Sequence, residues 1–228
     1  MSRLGLGTVK FGRNQKLKYP KAFELPSKRV VEDLMETAEE QGVNWIDTAP
    51  AYGVSEERVG ELLLCRRKHF VISTKVGEEF EQGNSRYDLS PKHVEMSIFR
   101  SLQRLKTDYL DIVLVHCDAN EEILDCLQHF KELGLIRYVG VSVQTEKGIG
   151  LLHKTDLVML SYGLFHKVPA LFNGAILIKK PLSSGYDRNP RKTLNFLLGE
   201  PRISGLAVGT LSRTHLLEAA RCLRTFSN

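Results

Sequence analysis

Short apolar runs rich in β-branched residues alternate along this chain with stretches whose apolar positions recur at helical spacing, the sign of repeated βα units and a parallel sheet. Eight runs predict strands: Leu4–Val9, Val43–Asp47, His69–Lys75, Tyr109–His116, Ile136–Ser142, Asp156–Leu160, Ala175–Lys179 and Ile203–Val208. Several are almost continuously apolar, as expected of strands buried on both faces. Helical stripes fall between them. Ser27 is the expected N-cap of a helix with apolar Val30, Val31, Leu34 and Ala38 on one stripe, stopping at Gly42. Ser55 opens a second helix, and Ser90-Pro91 opens a third, with proline at its first position. Asn120 caps a fourth ending at Gly134; others are expected from Thr145 to His153, from Pro190 to Leu198 and from Ser212 to Leu223.

One connection is short. Between the sixth and seventh strands lies only SYGLFHKVPALFNG, too brief and too interrupted by Pro169 and Gly174 for an ordinary crossover helix. The pattern therefore predicts a single-domain (β/α)8 TIM barrel over residues 1–228, with that crossover helix shortened or missing.

A barrel gives meaning to four polar residues. Asp47, Lys75 and His116 each close a predicted strand, and Tyr52 follows five residues after Asp47. All would converge on the carboxyl-end mouth, where such barrels carry out their chemistry. Any one of them alone is an unremarkable cap, turn or core histidine; four at one end of one barrel point to a site. Metal ligation is the rival use of an Asp and a His, but no HxH or paired-carboxylate spacing accompanies them, and a lysine alongside opposes a cation.

The rest of the composition narrows the partners. Lys+Arg total 32 against 27 Asp+Glu, a net charge of +5, spread along the chain with no basic stripe interleaved with aromatics, so no nucleic-acid partner is expected. Cys65, Cys117, Cys126 and Cys222 show neither CxxC nor metal spacing and read as reduced, mostly buried thiols, with Cys117 a small filler beside His116. With no secretory leader pattern and no apolar run of membrane-spanning length, the expectation is a cytoplasmic protein with no membrane span. Oligomeric state is not legible.

The segments LGLGTVKFGR, NWIDTAPAYGVSEERVGELL, VISTKVG, SLQRLKTDYLDIVLVH, ELGLIRYVGVS and GLAVGTLSRTHLLEA, in that order, resemble the aldo-keto reductase family. The resemblance implies an eight-stranded barrel that binds a nicotinamide dinucleotide without a Rossmann domain and reduces an aldehyde or ketone by hydride transfer. It agrees with the absence of GxGxxG, since Gly5-Leu6-Gly7 stands inside the first strand. The family's catalytic tetrad falls on Asp47, Tyr52, Lys75 and His116 without a substitution. Chemically, a phenol is too weak an acid at neutral pH unless tuned. Lys75 beside Tyr52 is expected to lower its pKa, Asp47 to hold Lys75, and His116 to donate a hydrogen bond to the carbonyl oxygen.

The same resemblance implies cofactor contacts at Thr8, Asp47, Ser142, Lys179, Lys180, Leu182, Ser184, Gly209, Thr210, Arg213 and Glu218. NADP is expected, with NAD less favoured, because Arg213 follows the Gly209-Thr210 loop at a helix N-terminus suited to a 2′-phosphate. The chain departs from the family pattern at Val143, Met159, Lys179, His215 and Ala219, where many members carry Asn, Gln, an aromatic, Arg and Asn. The segment Glu78–Leu89 reads as a loop near the mouth, with Phe80, Arg86 and Tyr87 as candidate substrate contacts, and the chain ending soon after its last helix suggests an open pocket. The partner is a small-molecule carbonyl compound whose identity the sequence does not give. The alternative is a nucleotide-sensing or partner-binding module on the same fold with little turnover.

Overall fold

A computed structural model describes residues 1–224 of the chain. Its strands, numbered in chain order, are β1 (Leu4–Gly7), β2 (Trp45–Asp47), β3 (Val71–Val76), β4 (Glu78–Glu81), β5 (Asn84–Tyr87), β6 (Leu110–Val115), β7 (Ile136–Ser142), β8 (Leu157–Leu160), β9 (Ala175–Lys179) and β10 (Gly205–Val208). Eight of them close a barrel in the order β1-β10-β9-β8-β7-β6-β3-β2, while β4 and β5 form a separate two-stranded sheet. Barrel neighbours pair in parallel, and β1 joins β10 through Leu4–Leu206 and Leu6–Val208 to complete the circle. The eight expected strands are all present, two with the expected bounds and the others within two residues of them at each end.

Two apolar layers follow from the alternation along each strand. Side chains such as Leu4, Leu6, Ile46, Ile72, Val113, Val139 and Ile178 face outward into the core beneath the helices. Trp45, Leu114, Leu157, Met159 and Leu177 fill the barrel interior. Trp45 dominates that filling, and two glycines make room for it. A Cβ on Gly5 would stand 2.2 Å from the indole, and one on Gly205 would stand 3.0 Å from it.

The helices are α1 (Val9–Gly12), α2 (Lys28–Glu40), α3 (Ser55–Leu63), α4 (Pro91–Arg104), α5 (Glu121–Glu132), α6 (Pro190–Gly199) and α7 (Arg213–Arg224). The expected caps are in place: Ser27, Ser90 and Asn120 accept hydrogen bonds from the amides of Val30, His93 and Ile123. Gly42 takes the left-handed conformation that ends α2.

Two segments differ from their sequence expectation, and a third matches it. The Thr145–His153 stretch is two 3-10 turns, Glu146–Ile149 and Leu152–Lys154, rather than a helix. Gly148 and Gly150 interrupt it, and Gly148 packs so closely on Val143 that a Cβ would approach within 2.6 Å. Glu78–Leu89 is mostly a hairpin, β4–β5, turning at Gln82-Gly83 with positive φ at both positions, as a two-residue hairpin turn requires. The sixth crossover is a 3-10 segment, Tyr162–Lys167, in accord with its shortness. No helix among the described residues is long and apolar enough to cross a membrane.

Candidate active site

The carboxyl end of β2 and that of β3 lie side by side, so Asp47 and Lys75 meet inside the mouth. Lys75 Nζ donates to Asp47 Oδ1 at 2.7 Å and to the Thr48 carbonyl at 2.8 Å. Both side chains are buried, Lys75 almost completely. The carboxylate has a second donor: Ser73 Oγ lies 2.8 Å from Asp47 Oδ1 and accepts from the Trp45 indole N–H at 3.0 Å. The barrel's largest interior side chain thus orients the serine that orients the aspartate. Sequence reasoning did not find Ser73; it faces inward two residues before Lys75, which is the signal alternation offered.

Tyr52 ends a 3-10 turn, Pro50–Tyr52, that follows β2. Gly53 and Gly12 allow that turn to press on the end of α1, since a Cβ on either would stand 2.2 Å from backbone of the other segment. The Tyr52 ring comes to rest with Lys75 Nζ 4.8 Å from its centre and the His116 ring 5.8 Å away in edge geometry. Burial pushes the phenol pKa well above its usual value, with Asp47 and Glu78 adding to the rise and Arg13 opposing it. Against the expectation of a lowered pKa, Lys75 does not offset the rise that burial and the two carboxylates cause. The phenol is held protonated.

His116 follows β6 and is nearly buried. Burial lowers its pKa; Glu78 pulls it upward, while Lys75 and Lys179 push it down. Its Nδ1 lies 3.0 Å from Glu78 Oε2, at an angle too oblique for a hydrogen bond. Glu78 is itself held by Ser85 Oγ at 2.7 Å and faced by Arg13 at 3.8 Å. Burial pushes the Glu78 carboxyl up, but His116, Ser85 and Arg13 together bring it below the usual carboxylate value. Glu78 is a further site residue that the sequence did not mark. Cys117, next to His116, has its thiol pushed to about 11 chiefly by burial, which suits a filler and not a nucleophile. Of the other cysteines, Cys222 is buried, Cys126 partly so, and Cys65 is exposed, against the expectation of mostly buried thiols; all four are free.

Asp47, Tyr52, Glu78 and His116 line one end of a cavity of about 1210 Å³. It runs from them across the mouth to Gly209, Thr210 and Glu218. Its outer wall is basic: Lys16, Lys18, Lys21, Lys180, Arg188 and Arg191 line it against Asp187 and Glu218.

The sequence profile described as the Aldo/keto reductase family matches residues 3–161, more than half of the chain. The chain belongs to that family. It is 30% identical over 180 residues to the uncharacterised oxidoreductase YqkF of Bacillus subtilis, an alignment covering 74% of this chain and 55% of that one. It is 36% identical over 121 residues to D-arabinose 1-dehydrogenase of Saccharomyces cerevisiae, covering 51% of this chain and 35% of that one. The chain therefore spans about a third to a half of the length of these curated relatives. Among solved structures, a Pseudomonas aeruginosa protein assigned to the aldo-keto reductases superposes with a TM-score of 0.84 at 40% identity, covering 97% of this chain and 91% of that one.

The matched segment ends before the stretches expected in this family member to wrap a dinucleotide, so their placement rests on the structure itself. Asp47, Lys179, Lys180, Leu182, Ser184, Gly209, Thr210 and Glu218 line the cavity. Lys180, Ser183 and Ser184 all stand at positive φ, a clustering of costly backbone typical of ligand-gripping turns. Ser142 is fully buried and reaches the cavity only through Lys179, whose Nζ donates to Ser142 Oγ at 2.9 Å. Burial, then Lys180 and Lys75, lower the Lys179 pKa to about 7. Thr8 lies behind the mouth, its hydroxyl donating to the Asp47 carbonyl at 2.9 Å and accepting from Ser55 at 2.8 Å. Arg213 turns away to α2, with Nε 3.0 Å from Thr37 Oγ1, and does not line the cavity; His215, Arg191 and Arg221 do. In the hairpin, Tyr87 lines the cavity, Phe80 lies under the Arg13 guanidinium, and Arg86 reaches outward to Asp88.

Proposed function

We propose that the chain reduces an aldehyde or ketone to an alcohol with NADPH, Tyr52 serving as proton donor. The observation that carries this reading is a buried, protonated phenol set between the Lys75–Asp47 pair and His116 at the end of a long, basic-walled cavity. The cavity fits a dinucleotide: its basic wall suits phosphates, and the amides opening α7 after Gly209-Thr210 suit an anion. The bound nicotinamide supplies the hydride. Lys179, Lys180, Leu182 and Ser184 would hold the pyrophosphate side, and Gly209, Thr210 and Glu218 the adenosine side. NADP is favoured over NAD by His215, Arg191 and Arg221 at that end, with Arg213 able to contribute only after leaving α2.

The chain's own residues account for the proton. As negative charge develops on the carbonyl oxygen, Tyr52 passes it the phenolic proton, and Lys75, 4.8 Å from the ring centre, stabilises the tyrosinate that results. Asp47 and Ser73 keep Lys75 in place. The Tyr52→Phe variant is expected to bind NADPH as before and to lose about 10²- to 10⁴-fold in turnover, the span attributed to a positioned acid. Undiminished turnover in that variant would remove Tyr52 from the role.

A further inference from the structure

The Glu78–His116 contact lies outside the four residues that the sequence marks, and it bears on which atom of His116 faces the substrate. A neutral imidazole carries one N–H; a carboxylate beside Nδ1 favours the proton there and leaves Nε2 with a lone pair. Neutral His116 in that tautomer accepts hydrogen bonds from the cavity and has nothing to donate to a carbonyl oxygen. Only the doubly protonated ring donates from Nε2 while Nδ1–H faces Glu78.

The surroundings of the ring make Glu78 decisive. Lys75 from β3 and Lys179 from β9 both disfavour a charged imidazole, as does burial, and Tyr52 packs on its edge from the turn after β2. Against these stands one carboxylate, Glu78 of β4, 3.0 Å from Nδ1. The hairpin holds it there: Ser85 of β5 donates to its Oε1, and Arg13 faces the same oxygen from the end of α1.

We propose that Glu78 is a positioning residue that fixes the proton of His116 on Nδ1 and compensates the charged imidazole when Nε2 donates to the substrate's carbonyl oxygen. This rests on the reductase reading for its kinetic consequence but not for its structural one. Carbonyl reduction then falls as pH rises through the His116 titration, because the donor form is lost.

The test uses the full chain labelled with 15N-histidine, the His116 signals being identified by their absence from His116→Gln. Wild-type His116 is expected to be protonated at Nδ1 when neutral. Glu78→Gln, close to isosteric and still able to take the Ser85 hydrogen bond, is expected to move the His116 titration about one pH unit downward, or about tenfold less imidazolium at a given pH. Glu78→Asp, which keeps the charge, should return the titration toward wild type. In parallel, the pH profile of aldehyde reduction in Glu78→Gln should fall at lower pH by a similar interval, with NADPH affinity unchanged. An Nε2-protonated neutral His116 in wild type, or a Glu78→Gln pH profile that overlays wild type after scaling, would overturn the proposal and leave Glu78 as support for the hairpin alone. A wild-type protein with no reductase turnover would instead sink the reductase reading, while the NMR arm still decides the role of Glu78.

Discussion

Lys75 and Lys179 end strands on the same barrel face, yet their environments set them apart. Lys75 spends its charge on Asp47 and a carbonyl, whereas Lys179 donates to a hydroxyl and forms no ion pair among the described residues. Breaking the first pair leaves a buried carboxylate uncompensated, so Lys75→Met should cost about 3–5 kcal/mol of stability in denaturant titration, with much of the loss recovered in the double variant Asp47→Asn, Lys75→Met. Lys179 behaves oppositely. Its pKa of about 7 lies below that of an unfolded-state lysine, so the unfolded chain binds the extra proton between those values and stability rises with pH across that interval. Lys179→Met should therefore melt above wild type at pH 6, and the gap should shrink by pH 10; a gap independent of pH would contradict it. Which residues gather at the mouth was legible because strand ends are legible. The pKa of Tyr52 was not, because it depends on burial that only the packed turn creates and on Glu78, which the hairpin brings in.

Among the elements, the strands and capped helices were legible from apolar spacing, Ser and Asn caps and the proline at Pro91. The β4–β5 hairpin was read as a loop because its residues are mostly polar, and only Gln82-Gly83 hinted at a tight turn. With the hairpin went Glu78, whose inward direction depends on its pairing opposite Tyr87. The direction of Arg213 was equally hidden: a helix start is readable, but not whether its first side chain bends toward the cavity or toward Thr37. In the barrel interior, packing supplies a sharp test. A methyl group on Gly5 would overlap the Trp45 ring, so Gly5→Ala should destabilise by about 1–3 kcal/mol or more as the indole is displaced. Since Trp45 orients Ser73, and Ser73 orients Asp47, that variant should also lose turnover beyond its loss of folded protein, measured per folded molecule.

For the whole molecule, closure of the barrel brings segments more than 150 residues apart, such as Asp47 and Gly209, onto one cavity wall. Its shortened sixth crossover leaves the circle of strands intact, with β8 paired to β9 over four residue pairs. The family is established by the chain's first two-thirds, while the residues proposed to hold the dinucleotide lie largely in the last third, which is why the cofactor, and not the fold, is the point to measure. Purified protein should be titrated with NADPH and then NADH while cofactor fluorescence is followed, and simple aldehydes added at saturation. The account predicts saturable NADPH binding, weaker NADH binding and aldehyde-dependent oxidation of NADPH that disappears in Tyr52→Phe. Failure to bind either dinucleotide would contradict it, and binding without oxidation across the aldehydes would favour a nucleotide-sensing role for the same site.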